Sequence, residues 1–152
     1  TKLFHKMADN HSVEERSYNM SRIRSTNTNP ELLVRHFLFS NGFRYRLNVA
    51  KLPGKPDIVL KKYNVAIFIN GCFWHGHNGC PHFVIPKTRT EWWLAKINRT
   101  KERDTKAFID LVKMGWNVLI IWECELHPQH RATTLNELVK TIKSSQKLQI
   151  RQ

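Results

Sequence analysis

The spacing of apolar residues along the chain predicts four helices. Apolar side chains recur every three or four positions, as on one face of a helix, in "SVEERSYNMSRIRS", "STNTNPELLVRHFLFSNGF", "PKTRTEWWLAKINRTKERDTKAFIDLVKMGW" and "TTLNELVKTIKSSQK". In the first three, a Ser or Thr precedes a Glu by three positions, and this capping-box spacing predicts N-caps at Ser12, Thr28 and Thr88. Gly42 and Gly115 end the second and third helices, while the polar run "NRTKERD" allows a break in the third.

Four shorter runs predict strands. "FRYRL" alternates aromatic and basic residues, as a half-buried strand does. The apolar runs 57–60 and 65–69 are joined by the polar "KKYN" and predict a hairpin, and the second run is continuous enough for a central strand. "WNVLIIWE" predicts a further buried strand. This order of helices and strands predicts an α/β domain with a mixed sheet.

Length and composition fit one folded unit. The chain has 152 residues, of which 41% are hydrophobic, enough for one domain with a buried core. We expect residues 1–11 to be a flexible N-terminal segment and residues 12–152 to form a single domain. No apolar run reaches the roughly 18 residues of a membrane-spanning helix, and no secretory signal is expected.

The charge of the chain indicates its partner. Lysine and arginine number 25 against 12 aspartates and glutamates, so the net charge is +13 with histidine neutral. A folded and strongly basic domain favours nucleic acid, because neutralising phosphates releases counterions. The alternative is a merely soluble basic protein, since charge reports on partners and not on fold.

The cysteines predict a metal site. Their number is odd, and without a secretory signal that argues against a disulfide framework. Cys72, Cys80 and Cys124 with His77 would make a closed tetrahedral Cys₃His zinc site of the structural kind. His75 and His82 compete with His77 as the nitrogen ligand. Three buried free cysteines and a catalytic zinc are the alternatives.

Two carboxylates are candidates for catalysis. Asp57 follows the turn "PGKP" at the start of a strand, where one carboxylate can seat Mg²⁺ together with phosphate and backbone oxygens. The simpler interpretation is an ordinary turn aspartate. Glu31 lies in the first turn of a helix, where capping is the simpler role.

Two aromatic pairs are candidates for binding DNA. Phe73 and Trp74 stand between candidate metal ligands, and exposed aromatics beside basic residues suit stacking on bases or wedging between them. Trp92 and Trp93 form a second pair at the start of a helix. We expect at least one member of each pair to be a core residue, because a helix buries only one face.

Five segments of the chain resemble the very short patch repair endonucleases. They are "LPGKPDIVL", "FINGCFWHGH", "PKTRTEWWLAKI", "ERD" and "GWNVLIIWEC", and they occur in the same order and with similar gaps from about Ser17 to Cys124. The family consists of bacterial enzymes that nick DNA at T:G mismatches left by deamination of 5-methylcytosine. The resemblance implies a restriction-endonuclease-like (PD-(D/E)XK-related) α/β fold, in which helices flank a mixed central sheet and a structural zinc site is present.

The resemblance implies a role for each candidate residue. Asp57 matches the metal-binding aspartate, His75 the general base or acid, and Glu31 a glutamate near the metal waters. Asp104 matches an acidic position near the active centre, in a supporting role. The structural zinc ligands correspond to Cys72, His77, Cys80 and Cys124. The aromatics that wedge into DNA beside the mismatch correspond to Phe73, Trp74 and Trp93.

The chain departs from the family at two places. Where the family has Thr-His, this chain has Ile69-Asn70. The backbone carbonyl of Ile69 can still bind the catalytic metal, whereas Asn70 cannot exchange a proton as the family histidine can, which bears on its catalytic role. One extra residue separates His77 from Cys80, and the zinc loop must absorb it.

The residues and the resemblance together predict an endonuclease that uses catalytic Mg²⁺ and structural Zn²⁺. Its expected partners are duplex DNA with a T:G mismatch and a mismatch-repair protein, with no membrane partner. We expect a monomer that is cytoplasmic and nucleoid-associated in a bacterium. The alternatives are an endonuclease of the same fold with another DNA substrate, and a non-catalytic zinc-stabilised DNA-binding module.

Overall fold

The described part of the chain contains a four-stranded sheet and three long helices. The computed structural model describes residues 12, 14, 15, 18 and 26–150, with side chains through residue 145. It also contains two single-turn 3₁₀ helices, Lys61–Tyr63 and Glu123–Leu126. The main elements are α1 (Asn29–Ser40), β1 (Arg46–Leu47), β2 (Ile58–Leu60), β3 (Val65–Asn70), α2 (Thr90–Lys113), β4 (Asn117–Trp122) and α3 (Arg131–Ile150).

The sheet is mixed, as predicted. Its strand order is β1-β2-β3-β4. The predicted hairpin is confirmed, since β2 pairs antiparallel with β3. After α2 the chain returns so that β4 pairs parallel with β3, from Val65 opposite Asn117 to Asn70 opposite Trp122. The carboxyl ends of β3 and β4 therefore lie side by side at the same end of the sheet.

Strand β3 lies at the centre of the core. All six of its residues are buried, which confirms the predicted central strand. Alternate side chains point to opposite faces of a strand. One set packs with α1 and α3, and the other packs against α2, where Phe68 and Phe108 form an edge-on ring contact at 4.9 Å. Burial on both faces explains why this run is continuously apolar.

Strand β4 is less buried than the sequence predicts. It is an edge strand of the described sheet, and Ile121 is its one buried residue. The prediction of a buried strand was therefore wrong for most of "NVLIIW", because strand order, which decides burial, does not show in the apolar pattern of a single run.

The three predicted capping boxes have different outcomes. At Ser12 and Glu15 both reciprocal hydrogen bonds are present, at 2.9 and 3.1 Å. Thr28 is the N-cap of α1 as predicted, but its hydroxyl makes no capping bond. The N-cap predicted at Thr88 was wrong, since α2 has Arg89 as its N-cap, in the left-handed conformation. Helix α2 also runs unbroken through "NRTKERD".

Two predictions about the whole chain remain open. The flexible segment 1–11 lies outside the described residues, and the single domain over 12–152 stays a prediction. Within the described part of the chain, none of the helices combines the length and the apolar character that crossing a membrane requires.

Candidate active site and cysteine–histidine cluster

Asp57 is held at the carboxyl end of β3. It directly precedes β2, and the antiparallel pairing of β2 with β3 brings it beside Ile69. Its Oδ2 accepts a hydrogen bond from the backbone N–H of Ile69 at 2.7 Å. The hairpin register thus fixes the carboxylate beside the backbone that the resemblance assigns to the metal.

The surroundings of Asp57 disfavour its charge. Burial is the largest cause and raises the pKa of Asp57 from 3.8 to about 6, and the nearby Glu31 charge adds to the increase. The Ile69 N–H, His75 and Lys55 act in the opposite direction and lower the pKa. Carboxylates that repel each other beside a backbone carbonyl form an oxygen donor set that suits a hard divalent cation.

Glu31 is more than a surface capping residue. It is 7% exposed, and its Oε2 accepts a hydrogen bond from the backbone N–H of Asn27 at 2.9 Å. It caps the chain just before α1 while its charge acts on Asp57. The capping interpretation therefore fits this side chain, and its catalytic role stays a prediction.

His75 and Asp104 form a close pair. Nδ1 of His75 lies 2.6 Å from Oδ2 of Asp104, and the two side chains are 28% and 25% exposed. Because a carboxylate accepts hydrogen bonds, the proton of neutral His75 resides on Nδ1, and Nε2 carries the lone pair. The imidazole can therefore accept a proton at Nε2.

Gly76 brings the loop of His75 against α2. Its φ is +61°, and a Cβ there would lie 2.8 Å from Cγ2 of Ile97 and would also clash with the Lys101 side chain. Only glycine fits this approach, since it lacks Cβ and tolerates the left-handed conformation. The close packing carries His75 to Asp104, which lies on the same helix.

Asn70 ends β3 in a buried position. It is 4% exposed, and its side chain makes no hydrogen bond to another described residue. It lies opposite Trp122 in the parallel register. The structure thus places Asn70 at the strand end, between Ile69 and the loop that carries Cys72 and His75.

The predicted metal ligands converge. One potential ligand atom from each of Cys72, His77, Cys80 and Cys124 lies within 4.8 Å of the others. Nδ1 of His77 is 3.5 Å from Sγ of Cys124. Of the three competing histidines, His77 belongs to this cluster. His75 pairs instead with Asp104, and the ring of His82 lies edge-on to that of His127.

The fold explains this convergence. Cys72 follows β3 by two residues and Cys124 follows β4 by two, so the parallel pairing brings both to the same edge. The extra residue before Cys80 is taken up in a turn where Gly79 has a φ of +72°. The His77 ring stacks on Trp122 at 4.0 Å, with 3° between the ring planes.

The donor atoms of the cluster suit a metal ion, although burial keeps two of its thiols protonated when no metal is bound. Burial raises the pKa of Cys72 to about 12, and burial also raises the pKa of Cys124. The thiols are therefore neutral by themselves, whereas a coordinated cation deprotonates them. Three sulfur donors and one imidazole nitrogen fit a soft or borderline divalent metal, so this cluster could bind one.

An aromatic cluster lies beside the histidine loop. The ring of Phe73 lies 5.1 Å from Trp74 and 5.4 Å from Trp93. Phe73 and Trp74 are half-buried, whereas Trp93 is 7% exposed and Trp92 is 40% exposed. As expected, one tryptophan of the second pair is a core residue. The same expectation was wrong for the first pair, since Phe73 and Trp74 lie in a turn and neither is fully buried. In this conformation Trp93 supports the other rings, and its contact with DNA stays a prediction.

Lys96 lies at the aromatic cluster but was not among the predicted site residues. Its Nζ lies 5.1–5.8 Å from the ring centres of Trp92, Trp74 and Trp93, close enough for cation–π contacts. It stands four residues after Trp92, a helical spacing that could have revealed it. The ammonium adds positive charge to the surface that carries the aromatic rings.

Comparison with known proteins gives consistent similarities. The family model described as DNA mismatch endonuclease Vsr matches residues 8–82. The type II nicking enzyme V.NmeAIP of Neisseria meningitidis is 48% identical over 91% of this chain and 99% of its own length. V.XorIIP of Xanthomonas oryzae, another type II nicking enzyme, is 45% identical over 79% of this chain and 88% of its own length. DNA mismatch endonuclease Vsr of Escherichia coli is 43% identical over 84% of this chain and 81% of its own length.

Proposed function

Because the chain belongs to the Vsr family of DNA endonucleases, we propose that it nicks duplex DNA at T:G mismatches arising from 5-methylcytosine deamination, with Mg²⁺ as cofactor. The observation that carries this proposal is the joint position of Asp57 and the His75–Asp104 pair beside an aromatic cluster. A metal-binding carboxylate, a proton acceptor and stacking rings are the three parts that hydrolysis at a distorted DNA step requires.

Asp57 and the backbone carbonyl of Ile69 would hold the Mg²⁺. When bound, the ion would stabilise the negative charge that develops on the phosphate. Asp57 is pre-positioned by the Ile69 N–H. Glu31 would order water near the ion through its second oxygen, since Oε2 already accepts the Asn27 N–H.

His75 would activate the attacking water. A water oxygen would attack the phosphorus and pass its proton to Nε2 of His75, while a phosphodiester P–O bond breaks and the leaving oxygen takes up a proton from water. Asp104 holds the imidazole in the tautomer that leaves Nε2 free and stabilises the imidazolium that forms. Asn70 would contribute a hydrogen bond rather than a proton, because an amide does not titrate.

The aromatic cluster would select the mismatch. Phe73 and Trp74 would wedge into the base stack, with Trp93 as their support and a further contact. Unstacking costs a few kcal/mol per step and least at a mismatch, so deformability itself contributes selectivity.

We further propose that Cys72, His77, Cys80 and Cys124 hold a structural Zn²⁺, since four protein ligands leave no open position. This ion would fix the loop that carries His75 and the wedge.

A nicking assay tests the proposal. One strand of a duplex with a central T:G mismatch is labelled and incubated with Mg²⁺ at low salt, beside matched T:A and branched duplexes in several flanking contexts. We expect a nick in the T:G duplex alone, and none with Asp57→Ala although that variant still binds DNA. Equal cutting of the T:A duplex, or preferential cutting of branched DNA, would show that the T:G mismatch is not the specific substrate. Cleavage retained by Asp57→Ala would refute the metal assignment.

A further inference from the structure

One face of α2 carries a basic stripe that extends from the aromatic cluster. Its residues lie at alternating spacings of four and three, which keeps them on one side of a helix. Trp92, Arg99, Arg103 and Lys106 are exposed, and Lys96 is partly buried. We call this surface the α2 stripe, and it consists of Trp92, Lys96, Arg99, Arg103 and Lys106.

The α2 stripe is not used by the core or by the catalytic pair. Helix α2 packs inward through Trp93, Ile97, Ala107 and Leu111, and Asp104 faces His75. The stripe residues instead line an open groove on the outer side, which also contains Glu102 as its single acidic member. None of the four stripe cations forms an ion pair with another residue in the described part of the chain.

We propose that the α2 stripe binds the phosphate backbone of the duplex that flanks the mismatch. This inference rests on the proposed function in taking a mismatched duplex as the substrate and the aromatic cluster as the wedge, but it does not depend on cleavage. Four cations against the single carboxylate of Glu102 give the groove a net positive charge, which complements a polyanion. Lys96 lies over the Trp74 ring at 5.3 Å, so the stripe is continuous with the surface proposed to wedge into the stack.

The dimensions of the stripe match a short length of duplex. At 1.5 Å per residue, Lys96 and Lys106 are separated by about 15 Å along the helix axis. Phosphates along one strand repeat at about 3.4 Å along the duplex axis, so the stripe spans about four base pairs. Since the wedge fixes one end of the stripe at the mismatch, the contact should fall on one flank only.

Binding measurements on a double variant test the contact. Arg99→Gln/Arg103→Gln removes two stripe charges, and Lys140→Gln/Lys143→Gln removes two exposed charges from α3 as the matched control. Affinity for a T:G duplex is measured by fluorescence anisotropy without Mg²⁺ at several salt concentrations. We expect the stripe variant to bind at least about tenfold more weakly. The slope of the logarithm of its binding constant against the logarithm of the salt concentration should be less steep by about two. A stripe variant that binds like the control would overturn the inference.

Duplexes shortened on either side of the mismatch locate the contact. For the unmodified protein, trimming one flank to fewer than about four base pairs should weaken binding, while trimming the other should not. The stripe variant should lose little on either side. Equal losses in both proteins would place the contact elsewhere. In single-turnover nicking at saturating DNA, the stripe variant should stay within about twofold of the unmodified protein, and a larger loss there would overturn a purely docking role.

The two proposals fail separately in these experiments. The binding comparison requires no cleavage. If the unmodified protein binds the T:G duplex with the stripe-dependent salt slope but does not nick it, the proposed function fails and the stripe contact stands. If nicking is specific for T:G but the stripe variant is indistinguishable from the α3 control, only the stripe contact fails.

Discussion

Nδ1 of His75 lies 2.6 Å from Oδ2 of Asp104, although 29 residues separate them in the chain. The loop after β3 and the middle of α2 meet there because Gly76 allows the close approach. This pair connects the proposed proton acceptor to the longest helix of the fold. The interaction leads directly to a prediction about catalysis.

Replacing Asp104 should slow nicking without weakening DNA binding. In Asp104→Asn, the amide can donate to Nδ1, which favours the tautomer whose proton is on Nε2 and removes the proton acceptor. We expect the single-turnover nicking rate to fall by roughly 100-fold, with an unchanged dissociation constant for the T:G duplex. Asp110→Asn, at another acidic position of α2, serves as the control. An unchanged rate in Asp104→Asn would argue against His75 as the base.

Asp57 should reduce the stability of the metal-free protein while it enables catalysis. Its folded-state pKa of about 6 lies above the ordinary 3.8, so the folded state binds its proton more tightly than the unfolded state does. The stabilisation that comes from protonating Asp57 in the folded state is fully present below about pH 4 and is lost as the pH rises through 6. Two pKa units correspond to a cost on the order of 2–3 kcal/mol above that window.

Asp57→Asn should therefore abolish nicking and stabilise the fold above pH 6. The Asn side-chain oxygen can still accept the Ile69 N–H, and no charge has to be buried. Thermal unfolding in buffer without Mg²⁺ should show a gain in Tm that is near zero at pH 4 and reaches its maximum above pH 6. A constant gain across this range, or a loss at pH 8, would be inconsistent with the raised pKa.

Cys124 should be required for metal binding and for stability. Cys124→Ser removes the proposed ligand that would connect the end of β4 to the loop after β3. We expect less than one equivalent of zinc by elemental analysis and a Tm lower by at least about 5 °C, since 1 kcal/mol shifts Tm by about 2–4 °C at this size. His82→Ala changes a neighbouring histidine outside the cluster and should retain full zinc. Full zinc in Cys124→Ser would exclude it as a ligand.

The cysteine–histidine cluster could be predicted well because its ligands are close in sequence or follow strands directly. Cys72, His77 and Cys80 lie within one loop, and Cys124 follows a run that is recognisably a strand. The sequence did not decide between His77, His75 and His82, however. That choice depends on which partner each ring meets in the fold. His75 meets Asp104 of α2, His77 stacks on Trp122, and His82 lies against His127.

Long elements were predicted more reliably than their ends. Helix α2 repeats its apolar pattern over 24 residues, so its existence was evident, whereas the N-cap depends on the path of the preceding loop. For a similar reason, the helical pattern did not show which of Trp92 and Trp93 is the buried residue. Residues next to each other on a helix point about 100° apart, and only tertiary packing decides which of them faces the core.

Gly76 should be needed for the active-site geometry, and Gly79 provides a matched control. Both have positive φ values, of +61° and +72°, but a Cβ at Gly79 would meet nothing within 4 Å. Gly79→Ala should therefore cost only about 1–2 kcal/mol of backbone strain. Gly76→Ala should cost clearly more, because its methyl group also clashes with Ile97 and Lys101 of α2.

The two alanine variants separate strain from displacement of the catalytic loop. In Gly76→Ala the loop must move away from α2, which lengthens the contact between His75 and Asp104. We expect its single-turnover nicking rate to fall at least about tenfold below that of Gly79→Ala, measured at a temperature where thermal unfolding shows both to be folded. If the two variants nick at equal rates, the close packing at Gly76 serves only the fold, and the His75–Asp104 pair does not depend on it.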